Sequence, residues 1–316
     1  MAGTTVAEAA PPGAGGPFDL EAPEAYARWR EWKLAAAPRA AGELVVEIKD
    51  PFDIDAVEHA ALLDRLQRAN MALFVAPPVD AETGKRLIRE VGTRFGLERL
   101  DANMLADDDG ITPLTVIGEG RRTNYIPYTN RPIKWHTDGY YNTLDRQDRS
   151  LLLYCVSDSQ TGGENALMDH EIAYILLRDT DPEHIRALMH PHAMTIPANT
   201  EGGEEIRVAR TGPVFLVDPE NGSLHMRYTA RKRNIVWRDD AATRAAVAAL
   251  EAILDADSPY VFRHRMAPGQ GLVSNNVLHD RAGFEDGPEG GKKRLIYRAR
   301  YFDRLSGTGL RDVWRG

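Results

Sequence analysis

The spacing of apolar residues predicts a first third of the chain that is mostly helical. Apolar positions three and four residues apart indicate three amphipathic helices, at 21–36, 55–70 and 80–96. Asp80 is a suitable N-cap for the last of them. Short apolar runs at 42–50 and 71–77 predict strands between these helices, and the second ends at two prolines.

After residue 100 the pattern changes to short strand-like runs separated by turn-forming residues. These runs are 111–118, 150–158, 212–219, 223–231, 260–269, 271–279 and 294–302. Two helices interrupt them, one over 169–190 with a new start at Asp181-Pro182, and one over 239–256. Strands and helices do not alternate regularly, which disfavours a parallel doubly wound sheet. We therefore expect a β-sandwich or rolled barrel with helices packed outside it.

Composition sets the boundaries of this domain. The first 17 residues are rich in Ala, Gly and Pro and are predicted to be a disordered leader. We interpret 18–316 as a single domain, with a supporting part at 18–100 and a β core at about 100–305. The leader lacks the features of a secretory signal, and no apolar run approaches the roughly 20 residues that span a bilayer. The single cysteine, Cys155, excludes an internal disulfide.

The net charge of the chain limits the classes of molecule that it is expected to bind. The chain has 39 basic and 47 acidic residues, a net charge of −8. This balance disfavours nucleic-acid binding, which needs a basic face, but it allows an acidic small molecule bound by a few buried arginines. We expect a cytoplasmic protein without a membrane partner, and whether it forms a homo-oligomer stays open.

The segment WHTDGYYN, residues 135–142, carries the first candidate chemistry. In an extended segment His136 and Asp138 point to the same face, where they form either part of a metal site or a polar pair. His279 ends a strand-like run 143 residues after His136. Two histidines and one carboxylate that leave open positions suit non-haem iron(II). The histidines in helical patterns, His59, His170 and His184, are expected to face solvent.

The segment KKRLIYRARYFD, residues 292–303, carries the second candidate chemistry. In a strand, Arg294, Arg298 and Arg300 share one face with Ile296, and the opposite face is also apolar. A buried guanidinium needs an anionic partner, either a bound carboxylate or an internal ion pair. The basic run 225–233 is either a basic wall of a binding site or, as we favour, a solvated charge run.

Taken together, these motifs resemble those of the iron(II)- and 2-oxoglutarate-dependent dioxygenases of the taurine dioxygenase branch. The resemblance covers about residues 110–303. It rests on the order and spacing of WHTDGYY, TGGENALMD (161–169), APGQGLVSNNVLHDRAGF (267–284) and KKRLIYRAR (292–300). It implies an α+β, mainly β fold whose core is a double-stranded β-helix, the jelly-roll of cupin-like proteins, with flanking helices.

The resemblance also implies roles for individual residues. By the resemblance, His136, Asp138 and His279 would bind iron(II), and Arg294 would bind the far carboxylate of 2-oxoglutarate. Arg298 matches an arginine that binds an acidic group of the cosubstrate or the substrate. The family has a threonine where this chain has Asn165, whose amide can also donate a hydrogen bond.

The implied activity is that of an oxidoreductase. The resemblance implies that the chain uses dioxygen to hydroxylate a small polar or acidic metabolite, with release of succinate and carbon dioxide. The candidate substrate residues, for each of which packing is an equal alternative, are Tyr125, Tyr140, Tyr141 and Asn142. Two alternatives remain: a zinc-dependent cupin-like hydrolase, because the same ligands bind zinc, and a catalytically inactive jelly-roll binding protein.

Overall fold

The computed structural model describes residues 13–102, 109–118, 125–201 and 203–315. Residues 1–12 of the predicted leader lie outside this part. At the carboxy-terminal end of the leader, the Pro17 carbonyl accepts a 2.8 Å hydrogen bond from Arg178, and the next residue, Phe18, is buried. None of the helices in the described ranges combines the length and apolar character that a bilayer crossing requires.

The predicted helices are present, and most begin at an aspartate. In chain order the helices are α1 (Pro23–Ala36), α2 (Ala56–Ala69), α3 (Ala81–Arg94), α4 (His170–Thr180), α5 (Pro182–Leu188), α6 (Ala241–Asp255) and the short α7 (Leu310–Val313), which was not predicted. The side chain of an aspartate N-cap accepts a backbone N–H of the first turn in five of them. These caps are Asp55, Asp80, Asp169, Asp181 and Asp240. Single 3-10 turns occur at Ala41–Leu44, Ile126–Tyr128, Leu144–Arg146 and Lys232–Asn234.

The strands are mostly shorter than the runs that predict them. In chain order they are β1 (Val45–Glu47), β2 (Met71–Val75), β3 (Thr112–Leu114), β4 (Ile133–His136), β5 (Ser150–Ser157), β6 (Thr161–Gly162), β7 (Asn165–Met168), β8 (Met194–Ile196), β9 (Asn199–Glu201), β10 (Glu204–Arg207), β11 (Arg210–Gly212), β12 (Phe215–Val217), β13 (Leu224–Met226), β14 (Val236–Trp237), β15 (Phe262–His264), β16 (Gln270–Ser274), β17 (Leu278–Arg281), β18 (Phe284–Glu285) and β19 (Leu295–Tyr301).

The larger sheet has six strands in the order β1-β2-β16-β5-β19-β3. Only the β1–β2 pair is parallel; the other neighbours are antiparallel. Side chains of β5 alternate between two cores, as the pleat requires. Leu152 and Tyr154 pack with α2 and α3, whereas Leu151, Leu153 and Cys155 point to the opposite face. Helices thus cover the outer face of this sheet.

The smaller sheet has four antiparallel strands in the order β15-β7-β17-β4. Its residues Leu167 and Phe262 share a buried core with Leu153, Leu272 and Ile296 of the larger sheet. The two sheets therefore pack face to face, as expected for a sandwich with helices outside. A further core beneath α1, α4, α5 and α6 covers the other face of the smaller sheet through Ala166 and Met168.

The prediction of one strand over 271–279 is wrong. The chain leaves the larger sheet after Ser274 and enters the smaller sheet at Leu278. Asn276 lies in the connection with a φ of +51°, a conformation that asparagine tolerates better than other non-glycine residues. An uninterrupted apolar run in the sequence conceals this crossing between sheets.

Candidate metal centre and substrate cavity

Two neighbouring strands of the smaller sheet bring the candidate metal ligands together. His136 ends β4, His279 lies in β17, and the two are directly paired across the strands. The centroids of their imidazole rings are 4.2 Å apart, and His136 Nε2 lies 3.6 Å from Asp138 Oδ1. One ligand atom from each of the three residues lies within 4.8 Å of the others. The structure thus brings together side chains that are 143 residues apart in sequence.

Backbone carbonyls orient both imidazoles. The Nδ1 atoms of His136 and His279 lie 2.9 Å from the carbonyls of Lys134 and Val277, respectively. A donating Nδ1–H fixes the tautomer in which Nε2 carries the free lone pair, as metal-binding histidines require. Burial, together with the neighbouring His136, lowers the pKa of His279 to about 3. His279 is therefore neutral, the state that binds a metal.

The turn that carries Asp138 is fixed by Asn276. The Asn276 side chain accepts from the Asp138 N–H at 2.8 Å and donates to the Asp138 carbonyl at 2.8 Å. Its amide also donates to the Asp148 carbonyl at 2.6 Å. The next residue, Gly139, has a φ of +66°, and a Cβ there would overlap with the Asp148 carboxylate.

The charge of Asp138 is stabilised from the opposite sheet. Arg298 of β19 lies 3.3 Å from Asp138 Oδ2. Burial alone would raise the pKa of this carboxyl, but Arg298, the His136 hydrogen bond and Arg300 outweigh it and hold the pKa well below its ordinary value. The site therefore offers an ionised carboxylate and two imidazole lone pairs. This donor set fits iron(II) and leaves coordination positions for other ligands.

Arg300 belongs to an internal ion-pair network. This is one of the two interpretations that the sequence allowed for a buried arginine in the segment 292–303. It is buried, lies 2.5 Å from Asp101 and 3.4 Å from Asp148, and donates to the Tyr141 hydroxyl at 2.8 Å. Burial raises the pKa of Asp148 to about 7 despite Arg300. Through its hydroxyl, the Tyr141 side chain is held in position by this network.

Arg294 is buried beside the Gly162-Gly163 turn. Its Nη1 has no hydrogen-bond partner within the described part of the chain, and its guanidinium lies over the Phe284 ring at 5.1 Å. Burial lowers the pKa of Arg294 to about 10. Asn165, at the start of β7, donates its amide to the Asp280 carbonyl at 2.6 Å, while its Oδ1 has no described partner. A buried guanidinium whose Nη1 has no described partner fits an anionic ligand.

A cavity of about 560 Å³ opens above the candidate metal ligands. All four candidate substrate residues line it, together with His136, Asp138, Arg298 and Arg300. Arg207, Asn199 and Asn234 also line the cavity and were not singled out from the sequence, whereas Arg231 and Arg233 belong to the run 225–233, for which a basic wall was the less favoured interpretation. The favoured interpretation of 225–233 as a solvated run is thus incorrect for Arg231, although Lys232 is exposed. No motif marks Arg207.

Other histidines are structural. The prediction that His170 faces solvent is wrong, because it is buried and its Nε2 lies 3.0 Å from the Leu224 carbonyl. His225 and His264 pair with glutamine side chains, at 3.2 and 2.9 Å.

Comparison with protein families matches residues 33–300 to the family described as "Taurine catabolism dioxygenase TauD, TfdA family". A uridine-5'-phosphate dioxygenase of Amycolatopsis sp is 35% identical over 173 residues, which cover 53% of this chain and 60% of that relative. The match thus spans less than two thirds of its length. A uridine-5'-phosphate dioxygenase of Streptomyces sp is 28% identical over 231 residues, covering 70% of this chain and 82% of that relative.

Solved structures share the fold. Asparagine oxygenase in complex with Fe(II), 2S,3S-3-hydroxyasparagine and succinate superposes with a TM-score of 0.56 at 17% identity, covering 95% of this chain and 88% of that one. The non-heme iron oxygenase OrfP in complex with Fe and alpha-ketoglutaric acid gives a TM-score of 0.54 at 16% identity, covering 81% and 83%.

Proposed function

The chain belongs to the taurine catabolism dioxygenase TauD, TfdA family, and on that premise we propose that it is an iron(II)- and 2-oxoglutarate-dependent dioxygenase. It hydroxylates a small acidic metabolite. Iron(II), 2-oxoglutarate and dioxygen together supply the oxidising power, and the cosubstrate leaves as succinate and carbon dioxide.

The observation that carries this proposal is the geometry of the three ligands. Both imidazoles have Nδ1 beside a carbonyl, and Asp138 is ionised beside them. In the proposed site His136, Asp138 and His279 bind iron, and Asn276 keeps the carboxylate in place.

Two arginines are assigned to acidic groups of the ligands: Arg294, immediately before β19, and Arg298 within it. We assign Arg294 to the far carboxylate of 2-oxoglutarate, because it is buried with an orphaned donor and lies beside the Gly162-Gly163 turn that precedes Asn165. Arg298 lines the cavity beside Asp138 and is assigned to an acidic group of the cosubstrate or substrate. A zinc hydrolase would have no use for a buried, unpaired Arg294.

The relatives suggest the substrate class. Two curated relatives are uridine-5'-phosphate dioxygenases, and a cavity of about 560 Å³ is large enough for a nucleotide. Tyr125, Tyr140, Tyr141 and Asn142 supply aromatic and amide surface for a base and a sugar. Uridine 5'-phosphate or a related nucleotide is therefore our candidate substrate.

The test uses the purified protein under anaerobic conditions. Iron(II) and 2-oxoglutarate should together give a weak visible charge-transfer band. His136→Ala and His279→Ala should each lose the band, because an essential ligand is missing. His264→Ala, which removes a strand histidine bonded to Gln270, is the matched control and should keep it. An unchanged band in both ligand variants would show that the metal site is assigned incorrectly.

A further inference from the structure

Two arginines on the cavity wall have no carboxylate partner among the described residues. Arg207, at the end of β10, lies with its guanidinium over the Tyr141 ring at 5.3 Å and donates to the Pro197 carbonyl at 2.9 Å. Its buried Nε has no hydrogen-bond partner among the described residues. Arg231 follows β13 and lines the same cavity beside Tyr140. Neither side chain belongs to the metal site or to the Arg300 network.

The charges of the cavity wall are unbalanced. Its described lining has five arginines but a single carboxylate, Asp138, which is itself a proposed metal ligand. Burial lowers the pKa of Arg207 and of Arg231, and the electrostatic contributions that oppose this come from tyrosines. Arg300, in contrast, has two aspartates beside it. Desolvated cations without a counter-ion are unfavourable unless a ligand supplies the anion.

We propose that Arg207 and Arg231 form the binding site for the phosphate group of a nucleoside monophosphate substrate, an assignment that rests on the proposed function. A phosphomonoester carries a charge of about −1.5 to −2 at neutral pH and has three acceptor oxygens. It therefore matches two guanidinium groups in charge, and their planar donor pairs suit phosphate oxygens. A monocarboxylate would compensate only one of them.

The rest of the cavity wall agrees with a nucleotide. Tyr140 and Tyr141 both line the cavity and contact each other edge to face, with ring centroids 5.2 Å apart, so they offer aromatic surface to a ligand. The Tyr140 hydroxyl accepts a hydrogen bond from Asn234 at 3.2 Å, and Asn199 lines the same wall. Amide side chains of this kind can pair with the polar edge of a base.

The test is calorimetric binding, without oxygen, to protein loaded with iron(II) and 2-oxoglutarate. Uridine 5'-phosphate should bind at least about tenfold more tightly than uridine, as expected for hydrogen bonds between charged groups. Arg207→Gln and Arg231→Gln should each weaken uridine 5'-phosphate binding by about 10- to 100-fold and leave uridine binding within about twofold. Arg244→Gln, which removes an exposed arginine paired with Asp239, is the control and should change neither affinity.

Two outcomes would overturn the assignment: equal affinities for the nucleotide and the nucleoside, or full nucleotide affinity in both arginine variants. The charge-transfer band of iron(II) and 2-oxoglutarate is recorded on the same samples. If the band is present while the nucleotide has no advantage, the phosphate site is wrong but the proposed function stands. If the wild-type protein gives no band, the proposed function itself fails.

Discussion

Asn276 is the side chain that fixes the turn carrying Asp138, the proposed carboxylate ligand. It makes two hydrogen bonds to the backbone of Asp138, and a third joins it to the Asp148 carbonyl. Asp138 and Asp148 are buried, so removal of the amide would leave buried backbone groups without these hydrogen bonds. Asn276 itself is not placed to bind metal, so its effect is on geometry.

We predict that Asn276→Ala weakens iron binding by about 10- to 100-fold, the range observed when residues that orient metal ligands are removed. Asn276→Gly should behave similarly, because glycine accommodates the φ of +51° but has no amide. Iron content after dialysis at fixed iron activity measures the effect. Asn275→Ala is the control; its amide bonds Asn70 and Thr308, so it should lower stability without changing iron affinity. Wild-type iron affinity in Asn276→Gly would contradict the positioning role.

At the residue scale, the spacing of residues in the sequence carried information about which side chains converge. His136 and Asp138 lie two apart in an extended segment, and the resemblance supplied His279; the structure places all three together. Arg207 had no such signal, since its importance arises from a cavity formed by distant segments. His170 was misjudged because α4 is buried nearly all round, and its helical pattern does not show that.

At the scale of elements, a buried ion cluster joins α1 to the beginning of α4. Lys33 Nζ lies 2.7 Å from Asp169 and 2.5 Å from Glu171, and the lysine is fully buried. Asp169 also caps α4 and accepts from the Asn70 amide at 3.0 Å. Burial alone would raise the pKa of Glu171, but Lys33 outweighs it and lowers this pKa.

We expect Lys33→Met to destabilise the protein by about 3–5 kcal/mol at pH 7, because two buried carboxylates lose their cation. In the wild type, the lowered pKa of Glu171 means that its contribution is lost as pH falls through that lowered value. In the variant, protonation of Glu171 relieves its unpaired charge instead, so the difference in stability should shrink towards pH 5. Urea denaturation at both pH values measures this. Lys232→Met, at an exposed lysine, should have almost no effect, and a pH-independent difference for Lys33→Met would refute the explanation.

Helices and strands were predicted best where residues close in sequence determine their ends. The helix starts follow from aspartate caps, which the sequence displays. Strand ends depend on pairing partners that are distant in sequence. The single run 271–279 is therefore divided between two sheets, because β2 and β5 pair with its first half and β4 and β7 with its second.

At the scale of the molecule, the two sheets contribute different parts of the site. The proposed metal ligands come from the smaller sheet and its turns, whereas Arg294 and Arg298 belong to the β19 segment of the larger sheet. Iron and 2-oxoglutarate bound together would therefore link the sheets across their common core.

We predict that iron(II) raises the Tm and that 2-oxoglutarate raises it further, each by a few degrees, since a ligand at about 100 times its Kd adds about 2.7 kcal/mol. Chelation should reverse both shifts. Arg294→Ala should keep the shift caused by iron and lose the one caused by 2-oxoglutarate, whereas Arg186→Ala, at an exposed arginine, should keep both. A full 2-oxoglutarate shift in Arg294→Ala would transfer the role to Arg298. Anaerobic thermal denaturation gives the measurement.

The pairing of β2 with β16 has a consequence for protein engineering. Residues 71–75 border the strand that leads directly into the Asn276 crossing and then to His279. A fragment lacking the first hundred residues would leave β16 with an unpaired edge and uncover the apolar face beneath α2 and α3. A chimera built to exchange substrate preference between relatives must therefore take its amino-terminal segment and its carboxy-terminal strands from the same parent.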